Sequence, residues 1–372
     1  MTLLRTLIIA LTSIMGSIAL PAPGAKPWIE TPLIESGALS KAAGCRIFLK
    51  LENLQPSGSF KSRGIGNRLL EAIKAQVSSS DDRALHFHAS SGGNAGLACV
   101  TAAVALGYRS TIAVPASTEE SMVAKLRAAG ASEVVVHGSN WFVADAYLRE
   151  VMMSKAEEMG EKAVYVPPFD HPDIWTGAAT MVPEIKAQMP RGEVPDAIVC
   201  SVGGGGLFSG IMQGVEGIGW QTKVLAVETV GADSLSQAVE KGELVKLDEI
   251  TSVAKSLGAP VVAQQALNDA LKPNAINMVI EDAEACASAW RFADDERILV
   301  EPACGASIAL AYDGRLEKYL KAFSPETKVV IIVCGGSRID LKTMDQYKQQ
   351  FGARAKELGL TRCADVPSTY SS

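Results

Sequence analysis

The chain has 372 residues, is 48% hydrophobic and carries a formal net charge of −6. That length suits one large domain or two of ordinary size, and the apolar content is enough to build their cores. The charge is spread without long like-charged runs, which argues against a nucleic-acid surface and against a disordered or fibrous chain; a small-molecule enzyme fits better.

Residues 1–25 read as an N-terminal extension or signal segment. The stretch 1–19 has one charge, Arg5, an apolar run from Leu7, and Ser17-Ile-Ala19 as a small-x-small cleavage signal. A start at Met15 instead would leave residues 1–14 outside the mature protein. The segment is too short and interrupted for a membrane span. Seven cysteines are scattered without a Cys-x-x-Cys pair, so small buried thiols in a reducing, cytoplasmic compartment are expected rather than disulfides or zinc. His86, His88, His137 and His171 likewise lack metal-ligand spacing.

Alternating apolar residues at 47–51 predict a strand, closed by the turn Pro56-Ser-Gly-Ser-Phe-Lys-Ser-Arg-Gly64, with an amphipathic helix at 62–76. Lys61 therefore sits on a strand-to-helix loop, where α/β folds place their ligands. A charged break at 78–83 precedes a strand at 84–89, the loop Ser90-Ser-Gly-Gly-Asn-Ala-Gly96 and a helix at 95–106. Strands follow at 111–114, 133–136 and 163–166, with helices at 119–129 and 141–159 between them. Beyond the Pro-rich Pro167-Pro-Phe-Asp-His-Pro172, a helix spans 173–189 and a buried strand, 196–201, empties into Ser201-Val-Gly-Gly-Gly-Gly-Leu207. Then come strand 223–228, helix 233–241, strand 276–280, helix 282–294 and strand 329–334. The alternation argues for parallel βαβ units, hence an α/β protein with two open, mostly parallel, doubly wound sheets. Residues 26–65 and 171–345 are expected to form a large domain, 66–170 a small one, and 346–372 a polar tail.

Gly203, Gly204, Gly205 and Gly206 let the backbone approach an anion, and the helix after them presents free N–H groups and a partial positive charge. A tight turn would also explain them. No Gly-Lys-Ser/Thr follows, so a P-loop is a poor fit, but Glu228, about twenty positions on, leaves a nicotinamide-dependent dehydrogenase open. That alternative leaves Lys61 unexplained. The N–H groups of Ser91, Gly92 and Gly93, the Ser91 hydroxyl and the helix start after them form a nest for a carboxylate. A capped helix start would explain the Ser and Asn, but the two adjacent glycines less naturally.

In type and order these three motifs resemble the fold-type-II pyridoxal-phosphate enzymes, which share a tryptophan synthase β-like fold, and within them the serine/threonine dehydratases. The resemblance runs from about Thr31 to Ser337. It implies that Lys61 binds pyridoxal phosphate covalently and, once displaced by the substrate amine, acts as base at Cα. It also implies that Phe60 and Ser256 pack on opposite faces of the pyridine ring, that Asn94 bonds the 3′-oxygen, and that Ser91, Gly92, Gly93 and Asn94 hold the substrate. Cys334 falls where the family places the partner of the pyridine nitrogen, as in the animal and fungal serine dehydratases. Unlike a carboxylate, a thiol does not hold that nitrogen protonated, which favours loss of a β-hydroxyl over transamination. Glu228, the Ser234 hydroxyl and the carbonyl oxygens of Ala232, Leu257 and Ala259 resemble the family's cation site. A single carboxylate among oxygen ligands suits potassium, with magnesium or calcium still open.

Serine racemases carry a serine and a histidine where Gly92 and Ala95 stand, and cysteine synthases have Thr-Ser-Gly-Asn and Lys-Asp-Arg in the corresponding loops, so neither neighbouring family matches. The short stretch after Ser337 leaves no room for the regulatory domain of biosynthetic threonine dehydratases, so a catabolic, gluconeogenic member is expected. The expectation is a homodimeric L-serine dehydratase that acts on a small amino acid, also deaminates L-threonine, and binds neither nucleic acid nor membrane. A threonine-preferring dehydratase, another β-eliminating lyase, a catalytically silent relative and the dehydrogenase are its alternatives.

Overall fold

The computed structural model describes residues 26–360. The signal-like segment, the alternative start at Met15 and Cys363 lie outside the described residues. Runs of aliphatic and β-branched residues form ten strands among them: β1 (Leu33–Glu35), β2 (Arg46–Lys50), β3 (Leu85–Ala89), β4 (Arg109–Val114), β5 (Glu133–Val136), β6 (Lys162–Tyr165), β7 (Ala197–Ser201), β8 (Lys223–Thr229), β9 (Ala275–Ile280) and β10 (Lys328–Ile332). They pair as a six-stranded sheet in the order β1-β2-β10-β7-β8-β9 and a four-stranded sheet in the order β5-β4-β3-β6. Every pairing is parallel except β1 with β2.

The central strands are apolar on both faces, as a parallel sheet covered by helices requires. All of β7 is buried, and Val329 to Ile332 of β10 are fully enclosed. One core surrounds the larger sheet and a second, around Phe87, Val100, Ile112 and Val114, surrounds the smaller. In parallel strands the carboxyl ends share one edge. The larger sheet therefore brings the exits of β2, β7 and β10 together, and β3 points its own exit loop at them.

Several element boundaries differ from the sequence reading. The helix expected over 173–189 is two, Pro172–Ala179 and Met181–Gln188, broken at Thr180. Pro183, third in the second helix, has no N–H to bond back to Ala179. The helix expected over 141–159 contains a π turn at Leu148–Met152. The last strand stops at Ile332 rather than at Cys334, because the chain leaves the sheet into Gly335 and Gly336, both at positive φ. β1 and the short helices Gly37–Ala43, Gln264–Ala270 and Pro302–Ala309 carry no clear period; the last is buried along its whole length. The helix Leu341–Glu357 runs across the 345/346 boundary and packs on helix Asp282–Glu296, with Ala355 buried and Arg354 paired to Glu281. Among the described residues, no helix is long and apolar enough to cross a membrane, and the six cysteines are buried and unpaired.

Candidate active site

Lys61 is the first residue of helix Lys61–Val77, so the helix begins one position earlier than its sequence suggests. The turn before it is stitched to the exit of β10: Phe60 N donates to Cys334 O at 3.2 Å, and Gly336 N donates to Gly58 O at 3.0 Å. Lys61 Nζ donates to Pro168 O at 2.6 Å and lies 5.2 Å from the Phe60 ring centre. Burial lowers its ammonium to about 8, with Cys334 opposing weakly. A free amine is therefore accessible near neutral pH.

Behind that helix start lies a buried charge network. Arg63 donates to both oxygens of Glu52 at 2.8 Å and to both oxygens of Glu184 at 2.6 Å. Lys50 Nζ reaches Glu184 and Thr31 O at 2.7 Å. Four charges that satisfy one another fix the base of the helix that carries Lys61.

The four glycines form a cradle that side chains would fill. A Cβ at Gly204 would fall 2.3 Å from the Phe169 ring, and Gly205 needs its φ of +92. Gly203 faces the carbonyl oxygen of Leu257, and Gly206 opens helix Gly206–Gly217, whose start has no side-chain cap. Its N–H groups are left for an anion, and the cradle suits the phosphate of pyridoxal phosphate.

Phe60, Lys61, Asn94, Gly203 to Gly206, Ser256 and Cys334 all line one pocket of about 520 Å³ of empty space, part of it open to solvent. Ser91, Gly92 and Gly93 are not on its wall; they stand just before Asn94, the first residue of helix Asn94–Leu106. The Asn94 amide already has partners on both of its polar atoms. Nδ2 donates to Ser256 Oγ at 3.3 Å and to Glu301 Oε1 at 3.1 Å, while Oδ1 accepts from Ser337 N at 3.0 Å and Ser337 Oγ at 2.8 Å.

Glu301 is the wall residue that the sequence reading missed. It is buried, and besides Asn94 it accepts from Ser256 Oγ and from Arg338 N at 2.9 Å. The pair Glu301-Pro302 opens helix Pro302–Ala309, and a Pro at the first helical position was the available signal. Cys334 lies two residues past β10, its Sγ 3.6 Å from Ile332 O. Cys304 shares the wall, and burial together with Cys334 pushes its thiol well up.

Of the residues expected at a cation, Glu228 caps helix Ser234–Lys241. Its Oε1 accepts from Leu235 N at 2.8 Å and its Oε2 from Ser236 N and Oγ at 2.7 Å. Burial raises its carboxyl to about 7 against those hydrogen bonds. Ser234 Oγ is buried without a partner, and Ala232, Leu257 and Ala259 are all buried. An orphaned hydroxyl beside a carboxylate is compatible with an oxygen-ligated ion.

Residues 25–335 match the family model described as pyridoxal-phosphate dependent enzyme, and the chain belongs to that family. It is an enzyme of α/β class, and pyridoxal phosphate is its cofactor. Particular relatives narrow the comparison. The chain is 44% identical to the human "serine dehydratase-like" protein over 329 residues, 87% of this chain and 95% of that protein. It is 42% identical to an L-serine dehydratase of Saccharomyces cerevisiae, over 83% of this chain and 93% of that one. A solved fungal L-serine ammonia-lyase from Rhizomucor miehei superposes with a TM-score of 0.79 at 34% identity, covering 88% of this chain and 100% of the other.

Proposed function

We propose that the protein is an L-serine dehydratase (L-serine ammonia-lyase) that releases pyruvate and ammonia by β-elimination and also converts L-threonine to 2-oxobutanoate. One observation carries this reading: the Lys61 amine, with its proton affinity lowered by burial, faces the glycine cradle across a pocket that Asn94 closes. The named relatives point the same way. Pyridoxal phosphate, when bound, supplies an electron sink for the pair left as the Cα–H bond breaks.

The chain's own residues do the rest. Gly203 to Gly206 would hold the phosphate, Phe60 and Ser256 would stand on either side of the ring, and the Cys334 thiol would be the partner of the ring nitrogen. Backbone N–H groups of Ser91, Gly92 and Gly93 orient the substrate carboxylate, with Asn94 exchanging its present partners for the bound molecules. Lys61, once free, takes the Cα proton. Elimination is favoured over racemisation because a Cβ at Gly92 would fall 2.5 Å from Thr118, so a second serine has no room there. Serine and threonine differ by one methyl group, a discrimination of about 1–3 kcal/mol, so both enter.

The finer parts of the reading are these. One potassium ion sits among Glu228, Ser234 and the carbonyls of Ala232, Leu257 and Ala259. Residues 26–65 with 171–345 form the large cofactor-binding domain and 66–170 the small one. The enzyme is a cytoplasmic homodimer of amino-acid catabolism and gluconeogenesis. The test is a visible spectrum of the purified protein before and after L-serine, with pyruvate release followed in wild type and in Lys61→Ala. A visible band perturbed by L-serine, and a loss of turnover of at least about 10³-fold in the variant, are expected. A protein without the band, or a variant with normal turnover, overturns the reading.

A further inference from the structure

The turn after β10 carries a guanidinium that no motif explains. Arg338 Nη2 donates to Gly92 O at 2.9 Å. A Cβ on Gly93 would stand 3.5 Å from Nε and 3.6 Å from Nη2, so the guanidinium lies directly against Gly93. The backbone of Arg338 is fixed from the pocket side, its N–H donating to Glu301 Oε1 at 2.9 Å. Yet Nε is buried and has no partner.

The guanidinium itself is in no ion pair. Glu301 takes only its backbone N–H, and Glu301 already serves Asn94 and Ser256. Among the described residues no carboxylate pairs with the guanidinium. Lys125, whose Nζ donates to Ser337 O, adds positive charge at this corner and has Asp340 near it. A half-buried cation with an unsatisfied donor is unfavourable unless an anion completes it. The same corner holds the N–H groups of Gly92 and Gly93 and the start of a thirteen-residue helix, Asn94–Leu106, which adds partial positive charge. The arginine, the nest and the helix start converge on one place and all select for negative charge.

We propose that Arg338 is a specificity-determining residue that supplies the counter-charge to the α-carboxylate of the amino-acid substrate across Gly93. This rests on the reading of residues 91–94 as the substrate loop. A planar guanidinium whose Nε–H has no partner matches a carboxylate better than an ammonium does, so lysine is only a partial substitute. The ligands it selects are amino acids with an ionised carboxylate, and amides or esters of the same amino acids lose its contribution.

The experiment uses the cofactor-loaded enzyme. L-Serine and L-serinamide are each titrated into wild type, Arg338→Ala and Arg338→Lys while the visible band is followed, and kcat and KM for L-serine are measured alongside. Loss of a charge-assisted hydrogen bond predicts an L-serine dissociation constant about 10 to 100 times weaker in Arg338→Ala, with the lysine variant between. L-Serinamide binding changes by less than about twofold, KM rises more than kcat falls, and cofactor uptake before substrate is unchanged. Equal weakening for serine and serinamide, or no weakening of serine, overturns the inference while the wild-type band and pyruvate release leave the lyase reading standing. Absence of that band and of pyruvate in wild type overturns the lyase reading itself. Should Arg338→Ala fail to load cofactor, Arg338→Gln removes the charge, keeps a donor for Gly92 O, and carries the same comparison.

Discussion

Lys61 and Asn94 reach the same pocket from supports of opposite kind. Beneath Lys61, the side chains of Lys50, Glu52 and Arg63 are completely enclosed and share Glu184 in a closed set of ion pairs. Around Asn94 the ties are hydrogen bonds between loops, to Ser337 and Ser256 and to one carboxylate, Glu301. A buried ion network is satisfied as a whole or fails as a whole, so it makes an immovable base. Individual hydrogen bonds contribute about 1 kcal/mol net and can be traded for equivalent bonds to a ligand. The proposed covalent anchor is therefore built to stay still, and the proposed substrate loop to change partners.

Breaking the rigid side has the largest expected effect. Arg63→Ala leaves Glu52 and Glu184 buried and uncompensated, and a loss of about 3–5 kcal/mol is expected in urea unfolding. A loss below about 1 kcal/mol means the network is not the base described here.

Acid should next attack the loop side through its strand. His88 on β3 is 1% exposed, and burial lowers it from 6.5 to about 4. The unfolded chain takes up a proton near pH 6.5 that the folded His88 refuses until about pH 4, so this contribution is whole above 6.5 and is lost as pH falls toward 4. The full span corresponds to about 3 kcal/mol. His88→Gln should flatten the acid limb of a stability-against-pH curve between those values, and an unchanged limb assigns it to other groups.

A smaller effect tests the amine itself. With Lys61 lowered to about 8, cofactor uptake by the stripped protein should accelerate roughly tenfold between pH 7 and 9, as the ammonium gives up its proton. A rate still climbing steeply at pH 10 would mean an ordinary exposed lysine.

Ser337→Ala removes one hydroxyl donor to Asn94 and should cost only about 1 kcal/mol of stability while raising KM for L-serine. A stability loss as large as that of Arg63→Ala would erase the contrast between the two supports.

Much of this was legible in the chain. The strands at 133–136 and 47–51 are short aliphatic runs and the helix at 95–106 is rich in alanine, and such runs are a local property. Lys61, the four glycines and Cys334 could be placed because turn residues mark where strands end. The π turn at Leu148–Met152 left no such mark, and the break at Thr180 had only Pro183 as a sign. The wholly buried helix Pro302–Ala309 shows no amphipathic period because it has no exposed face.

By itself the sequence determined the alternation of strand and helix and the three loops that hold the chemistry, because those follow from residues within a few positions of one another. Only the tertiary structure decided which partners those loops meet. Glu301 bonds Asn94 across 207 positions and Arg338 bonds Gly92 across 246. Such pairs are chosen by how the exit loops of the two sheets meet, and no window along the chain contains both members.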